Sequence, residues 1–241
     1  MAEFKYGRVL LKISGEGLCK PGGSGIDGSA LRTLAEEIKL VADLGVQLGV
    51  VVGGGNIFRG STLADDTQIE EATGHYMGML ATVINALAVQ DTLESMGVPT
   101  RVQSAIAVDR VCEKFIRRRA MRHLEKGRVV ILAAGTGNPF VTTDTGAALR
   151  AAEIRADVLL KATKVDGVFS ADPVEDPTAQ RFDRLTYNDV IDRRLEIMDV
   201  SAIDLCQRSR IPIIVLDVRI PGNMCAALSG ETRGTMIDSG D

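Results

Sequence analysis

Short apolar runs alternate with helical patterns along this chain, and that alternation constrains its fold more than any other feature. Runs rich in Val, Ile and Leu occupy residues 8–13, 46–52, 100–106, 128–133, 157–160 and 211–216, each bounded by turn-forming residues, and read as buried strands. Between the first two, Asp27 is placed to cap a helix whose Leu31, Leu34, Ile38 and Val41 recur at helical spacing and whose end is marked by Gly45. Further helices are expected over about residues 70–96, 113–125 and 143–154, the first two closing on Gly97 and Gly127. Such a chain folds as α/β, with a mostly parallel sheet covered by helices on both faces and ligands at the carboxyl ends of its strands. From about Phe169 the texture changes to "SADPVEDPTAQRFDRL", where two Asp-Pro pairs point to a structured excursion rather than a linker.

At 241 residues and 45% hydrophobic content the chain can bury a large core, as one big domain or as two lobes sharing a sheet. A formal net charge of -4 argues against a general nucleic-acid binder, which needs clustered cations, and leaves small molecules as the expected partners. Cys19, Cys112, Cys206 and Cys225 are scattered without a close pair, and His75 and His123 are the only histidines, so neither a disulfide framework nor a protein-built metal centre is expected. The opening "MAEFKYGR" does not resemble a cleaved signal, and no apolar run approaches the ~20 residues of a membrane helix. The expectation is a soluble cytoplasmic protein with no membrane partner.

The chemistry starts from a misplaced charge. In "RVLLKISGEGL", Lys12 interrupts a core strand, and a lysine there is costly unless something negative meets it. "VLLK" occurs at 9–12 and again at 158–161, so two strands each lead into a lysine. Three glycine-bearing turns follow strands: "SGEG", "GGGNIFRG" and "AGTGNPFVTTD". Any one of them reads equally as a tight turn, but glycine also lets backbone N–H groups close on an anion. The Walker A pattern is absent, and G-x-G-x-x-G fails twice, at Phe58 and at Phe140, which removes the main support for a P-loop or a dinucleotide fold.

"TGNPFVTTD" turns at Asn138-Pro139 and sets Thr142, Thr143 and Asp144 where a helix begins, a place that suits a phosphate. Capping of the helix by Thr143 or Asp144 is the plainer alternative. Arg59, just after "GGGNIF", can fork onto phosphate oxygens or stay solvated. Lys12, Lys161 and Arg59 would then gather three cations at one edge of an acidic protein, with Asp144 orienting the two lysines. Two anion cradles with cations between them suit phosphoryl transfer between two phosphorylated ligands, where alignment and charge neutralisation do most of the catalysis and no general base is essential.

"LLKISGE", "VVGGGNIFRG", "HYMGMLATVINALA", "AAGTGNPFVTTDTGAALRAAEI", "ADVLLKATKVDGVFSADP" and "GTMI" resemble, nearly end to end, the amino acid kinase family in its bacterial uridylate kinase branch. The resemblance implies a three-layer αβα sandwich forming a single domain over 1–241. About residues 1–155 would carry the UMP site and about 156–241 most of the ATP site. It implies transfer from ATP to UMP giving ADP and UDP, in the supply of UTP and CTP. Magnesium would be bound mainly through ATP phosphates, in a homohexamer with GTP and UTP as candidate effectors. Position by position, Lys12, Ile13, Ser14, Gly15, Gly55 and Arg59 match stretches facing the ATP phosphates, and Thr163, Phe169 and Asp172 match the adenosine side. Gly54 with Thr136, Gly137, Asn138, Pro139, Phe140, Val141, Thr142 and Thr143 match the UMP site, and Lys161 is a second phosphate cation. Lys12, Arg59, Asp144 and Lys161 form the implied catalytic set, with no protein-built metal site.

Two departures stand out. Where relatives commonly have an acidic residue facing the nucleotide sugar, this chain has His75 between Gly74 and Tyr76; it reads as a weaker sugar contact or as a helix-surface histidine. The stretch "KPGGSG", residues 20–25, has Ser24 where many relatives have an aromatic in a segment tied to GTP activation. Arg117, Arg118, Arg119 and Arg122 are expected to fan over a helix surface in solvent, and Met77 and Met79 to pack in the core or at an oligomer interface. A carbamate- or acylglutamate-type kinase, and a non-catalytic nucleotide- or oxyanion-binding protein on the same fold, are the rival readings.

Overall fold

The computed structural model describes residues 4–58, 68–172, 176, 178–231 and 233–240. Its elements run β1 (Arg8–Ile13), α1 (Gly28–Asp43), β2 (Gln47–Val52), α2 (Glu71–Ser95), β3 (Thr100–Ser104), β4 (Glu113–Lys114), α3 (Arg117–Glu125), β5 (Val129–Ala133) and α4 (Thr143–Ile154). They continue with β6 (Val158–Thr163), β7 (Val168–Phe169), β8 (Arg181–Phe182), β9 (Arg184–Thr186), α5 (Tyr187–Asp192), α6 (Val200–Ser209), β10 (Ile213–Asp217), α7 (Asn223–Leu228) and β11 (Thr235–Asp238). Nine strands form one sheet in the order β4-β3-β5-β2-β1-β6-β10-β11-β9, while β7 and β8 pair separately as the excursion after residue 167. Within the large sheet only β10 and β11 run antiparallel.

Alternation along each strand divides the core in two. Val9, Leu11 and Ile13 of β1 meet Ile38 of α1, Val83 of α2 and Met224 of α7 on one face. Leu10 and Leu159 meet Leu124 of α3, Ala147 and Ala151 of α4 and Ile203 of α6 on the other. The sheet is therefore covered on both sides, as the three-layer expectation requires. Asp27 caps α1 by accepting from the Ser29 and Ala30 N–H groups, at 3.1 and 3.0 Å. No helix among the described residues is long and apolar enough to cross a membrane. All four cysteines are free thiols.

The expected helix over 113–125 is shorter. Glu113 and Lys114 extend the sheet beside Gln103 and Ser104, and the helix starts only at Arg117. The reason is a polar tether: the Glu113 carboxylate accepts from Gln103 Nε2 at 3.0 Å and lies 3.1 Å from His123 Nε2, holding the segment extended. Arg117, Arg118, Arg119 and Arg122 are exposed as expected. The strand expected at 157–160 runs on to Thr163, which puts Lys161 inside it.

Glu37 of α1 is buried beneath α7, where one carboxylate oxygen accepts from the Gly222 N–H at 2.9 Å and the other has no hydrogen-bond partner among the described residues. Burial, reinforced by Glu36, raises its carboxyl above the ordinary carboxylate range. The folded chain then holds a proton that the unfolded chain has released, so stability from this group is present below the unfolded value and lost as pH rises through the folded one. Glu37→Gln keeps the acceptor and removes the buried charge. It should raise the Tm at neutral pH by about 2–4 °C, the equivalent of ~1 kcal/mol in a chain of this size. Melting curves across pH check this, and the gain should shrink as the pH is lowered.

Candidate active site

β1 lies between β2 and β6, and the chain leaves β1 to one side and returns to the other through β6. That crossing is a topological switch point, where open parallel sheets place their ligands. Lys12 and Lys161 sit side by side in the β1–β6 register, near the carboxyl ends of both strands. Each follows an apolar neighbour pointing into the opposite core face, so period-two alternation sends both ammonium groups to the same side. On that side lies the first turn of α4. Asp144 there receives Lys12 Nζ at 2.7 Å on one oxygen and Lys161 Nζ at 3.0 Å on the other.

This cluster carries one formal positive charge in excess, beside a helix N-terminus that adds partial positive charge. Burial alone would raise the Asp144 carboxyl, but the two lysines outweigh it and hold it below the usual carboxylate range. For Lys161, burial lowers the ammonium from its ordinary range, Asp144 opposes this, and the Lys12 charge lowers it further. Lys161 also donates to the Ile197 carbonyl. With both oxygens engaged by ammonium groups, Asp144 stands between the two cations. The surplus charge suits an arriving anion.

Backbone packed on backbone supports the site. A Cβ on Gly15 would stand 2.7 Å from the Gly55 N and 2.9 Å from the Gly53 O, and one on Gly54 would stand 2.7 Å from the Gly78 O of α2. Only glycine lets the "SGEG" turn, the "GGGN" turn and α2 approach so closely. Asn85 of α2, fully buried, donates to the Gly53 carbonyl at 2.7 Å and exchanges hydrogen bonds with Asn56. Asn56 in turn holds the Gly25 carbonyl, latching the "KPGGSG" stretch to the same turn.

The "AGTGNPFVTTD" turn is mounted on the same helix. Thr82 Oγ1 accepts from the Ala134 N–H at 2.7 Å, and His75 Nδ1 accepts from the Phe140 N–H at 2.7 Å. Ala134 and Phe140 both have left-handed φ, 61° and 63°, which non-glycine residues adopt only when held there. Thr142 caps α4 by accepting from the Thr145 N–H at 3.2 Å, and its hydroxyl donates to Asp199. The cap is thus neither Thr143 nor Asp144, and the Asp144 carboxylate is left to face the lysines. Arg150, buried on α4, steadies the turn from beneath through the Gly135 carbonyl at 2.8 Å.

A cavity of 690 Å³ opens from the lysine pair toward α1, with Lys12, Ile13, Ser14, Lys161 and Thr163 in its wall and apolar Leu34, Val165 and Val218 beyond them. That size suits a nucleotide. A neighbouring cavity of 470 Å³ is bordered by Gly55, Asn56, Lys20 and Lys164.

The profile of the amino acid kinase family matches residues 7–217. The chain belongs to the amino acid kinase family. Within it, a uridylate kinase of Paramagnetospirillum magneticum is 58% identical over 236 residues, covering 98% of each chain. A uridylate kinase of Methylococcus capsulatus is 53% identical over 240 residues and the full length of both. The crystal structure of a UMP kinase from Bacillus anthracis superposes with a TM-score of 0.95 at 38% identity, covering 98% of this chain and 97% of that one.

In this member of the amino acid kinase family the structure brings Lys12, Asp144 and Lys161 into direct contact, with Ser14 and Thr163 on one side and the turn from Thr136 to Thr143 on the other. Gly54 and Gly55 join them through α2 and the second cavity. Phe169 and Asp172 lie on or beside the β7–β8 excursion and border neither cavity among the described residues. Arg59 lies outside the described residues. Sequence reasoning passed over Asn56, Thr82, Asn85 and Arg150, the residues that fix the turns. Their available signal was polarity in the wrong place: Thr82 and Asn85 interrupt the apolar pattern of a helix.

Proposed function

We propose that this chain transfers the γ-phosphoryl group of ATP to UMP, giving ADP and UDP. The observation that carries this reading is the Lys12–Asp144–Lys161 cluster, placed between a nucleotide-sized cavity and a glycine-rich turn ending on a helix N-terminus. The acceptor is a phosphate monoester and brings its own ionised oxygen as nucleophile, so no residue has to take a proton from it. The two ammonium groups neutralise charge on the migrating group as it passes between the nucleotides, and Asp144 fixes their separation. The N-terminal region to about residue 155 would hold UMP and the region from 156 most of ATP, with Ser14, Gly15, Gly55 and Thr163 on the donor side. Arg59, Phe169 and Asp172 belong to the donor side in this reading on the strength of the resemblance alone.

Magnesium enters as part of the ATP substrate, held by phosphate oxygens. The donor set supports this, because both oxygens of Asp144 already face ammonium groups and no group of acidic, histidine or cysteine ligands gathers among the described residues. We carry the homohexamer as part of the same proposal, supported by the outer face of α2, where Tyr76, Leu80 and Ile84 are 44%, 45% and 51% exposed at helical spacing.

The test is a coupled assay of ADP release with UMP, CMP, carbamate and N-acetylglutamate as acceptors, with and without GTP and UTP. Turnover with UMP well above the others is the expected result. Preference for carbamate or N-acetylglutamate would assign a different acceptor, and no turnover with any would mark a binding protein.

A further inference from the structure

On the inner face of α2, His75, Gly78, Thr82 and Asn85 follow one another at steps of three and four residues, so one helical stripe meets both acceptor-side turns. His75 stands at the end of that stripe nearest the tip of the "TGNPFVTT" turn. The tip is otherwise loosely attached: Phe140 is 65% and Val141 41% exposed. Among the described residues, the Phe140 N–H to His75 Nδ1 hydrogen bond, at 2.7 Å, is the one joining residues 138–141 to another element. The two rings meet edge to face, with centroids 4.9 Å apart and planes at 80°. Phe140 is also the residue with a left-handed φ of 63°, a conformation that needs external support.

We propose that His75 is a positioning residue for the acceptor: its unprotonated Nδ1 holds the Phe140 backbone in the shape that receives UMP. The inference rests on the functional reading above and goes beyond it, because it assigns a residue of α2 to holding the acceptor turn through its backbone. Since Nδ1 accepts from a backbone N–H, the neutral ring carries its proton on Nε2.

The imidazole makes its own control variants available. Asn places an oxygen close to where Nδ1 sits, whereas Gln reaches the position of Nε2. His75→Asn should therefore keep the KM for UMP near that of the wild type. His75→Gln and His75→Leu should raise it about 3- to 10-fold, the size expected of one lost hydrogen bond. The KM for ATP should stay constant in all three and kcat within about twofold, a split that general loss of structure would not produce. Equal KM values for UMP in all variants, or equal impairment of the Asn and Gln variants, would overturn the inference while leaving the UMP reading intact. A wild-type chain that turns over no UMP would overturn both.

Discussion

Asp144→Asn is expected to abolish nearly all turnover and to destabilise the folded chain by on the order of 3–5 kcal/mol at neutral pH, because it strips two buried ammonium groups of their shared counter-charge. The destabilisation has a diagnostic pH dependence. Without the carboxylate, only Asp199 still opposes burial and the Lys12 charge at Lys161, and its ammonium falls further below the ordinary lysine range. The unfolded chain then binds a proton that the folded chain refuses, so stability of the variant should recover as pH rises toward the ordinary lysine range. In the wild type the Asp144 contribution is present above the usual carboxylate range and lost as pH falls through the depressed folded value. Urea denaturation of both proteins over a pH series checks the two trends, which share a sign but fall in different windows: stability rises with pH in the acid range for the wild type and in the alkaline range for the variant. A mild effect on both turnover and stability would reduce Asp144 to an ordinary first-turn carboxylate.

Lys12→Ala separates chemistry from folding. Turnover should fall on the order of 10³-fold or more, the scale seen when a positioned cation is removed from a phosphoryl-transfer site. The fold should survive, because Asp144 keeps Lys161 at 3.0 Å and the cluster becomes a balanced pair. Circular dichroism and melting should show a native variant far less destabilised than Asp144→Asn. A folded Lys12→Ala chain with near-normal kcat would remove the lysine pair from the mechanism.

The parallel core was legible because its strands are short, dense in β-branched residues and separated by helices with a clear apolar stripe, as Leu34, Ile38 and Val41 show for α1. The C-terminal third was harder to read. β9, α5, α7 and β11 are three to six residues long, too short for either periodicity to register, and the antiparallel turn of β11 onto β10 has no local signal. Residues 113–125 misled because Phe115, Ala120 and Leu124 suit a helix, while the force holding Glu113 and Lys114 in the sheet comes from Gln103 and His123, distant or side-chain partners that no local pattern reveals.

The site divides the same way. Lys12, Lys161 and Asp144 announced themselves as charges among apolar or turn residues, and the repeated "VLLK" anticipated their pairing. His75 did not: a lone histidine on a helix has many uses, and its contact lies 65 residues away at Phe140. Thr82, Asn85 and Arg150 act on backbone groups of remote turns, which depend on how the chain closes rather than on any motif.

The two ammonium groups ride on one rung of the β1–β6 ladder, whereas the surfaces that would receive the nucleotides are turns. Turns can open and close around substrates without dispersing the charge at the centre, since the register that sets the lysines opposite each other joins strands about 150 residues apart in sequence. A frameshift of pairing by a single residue would turn one of those side chains into the opposite half of the molecule. Strand alignment is here a chemical parameter, and the electrostatic centre is as stiff as the sheet that carries it.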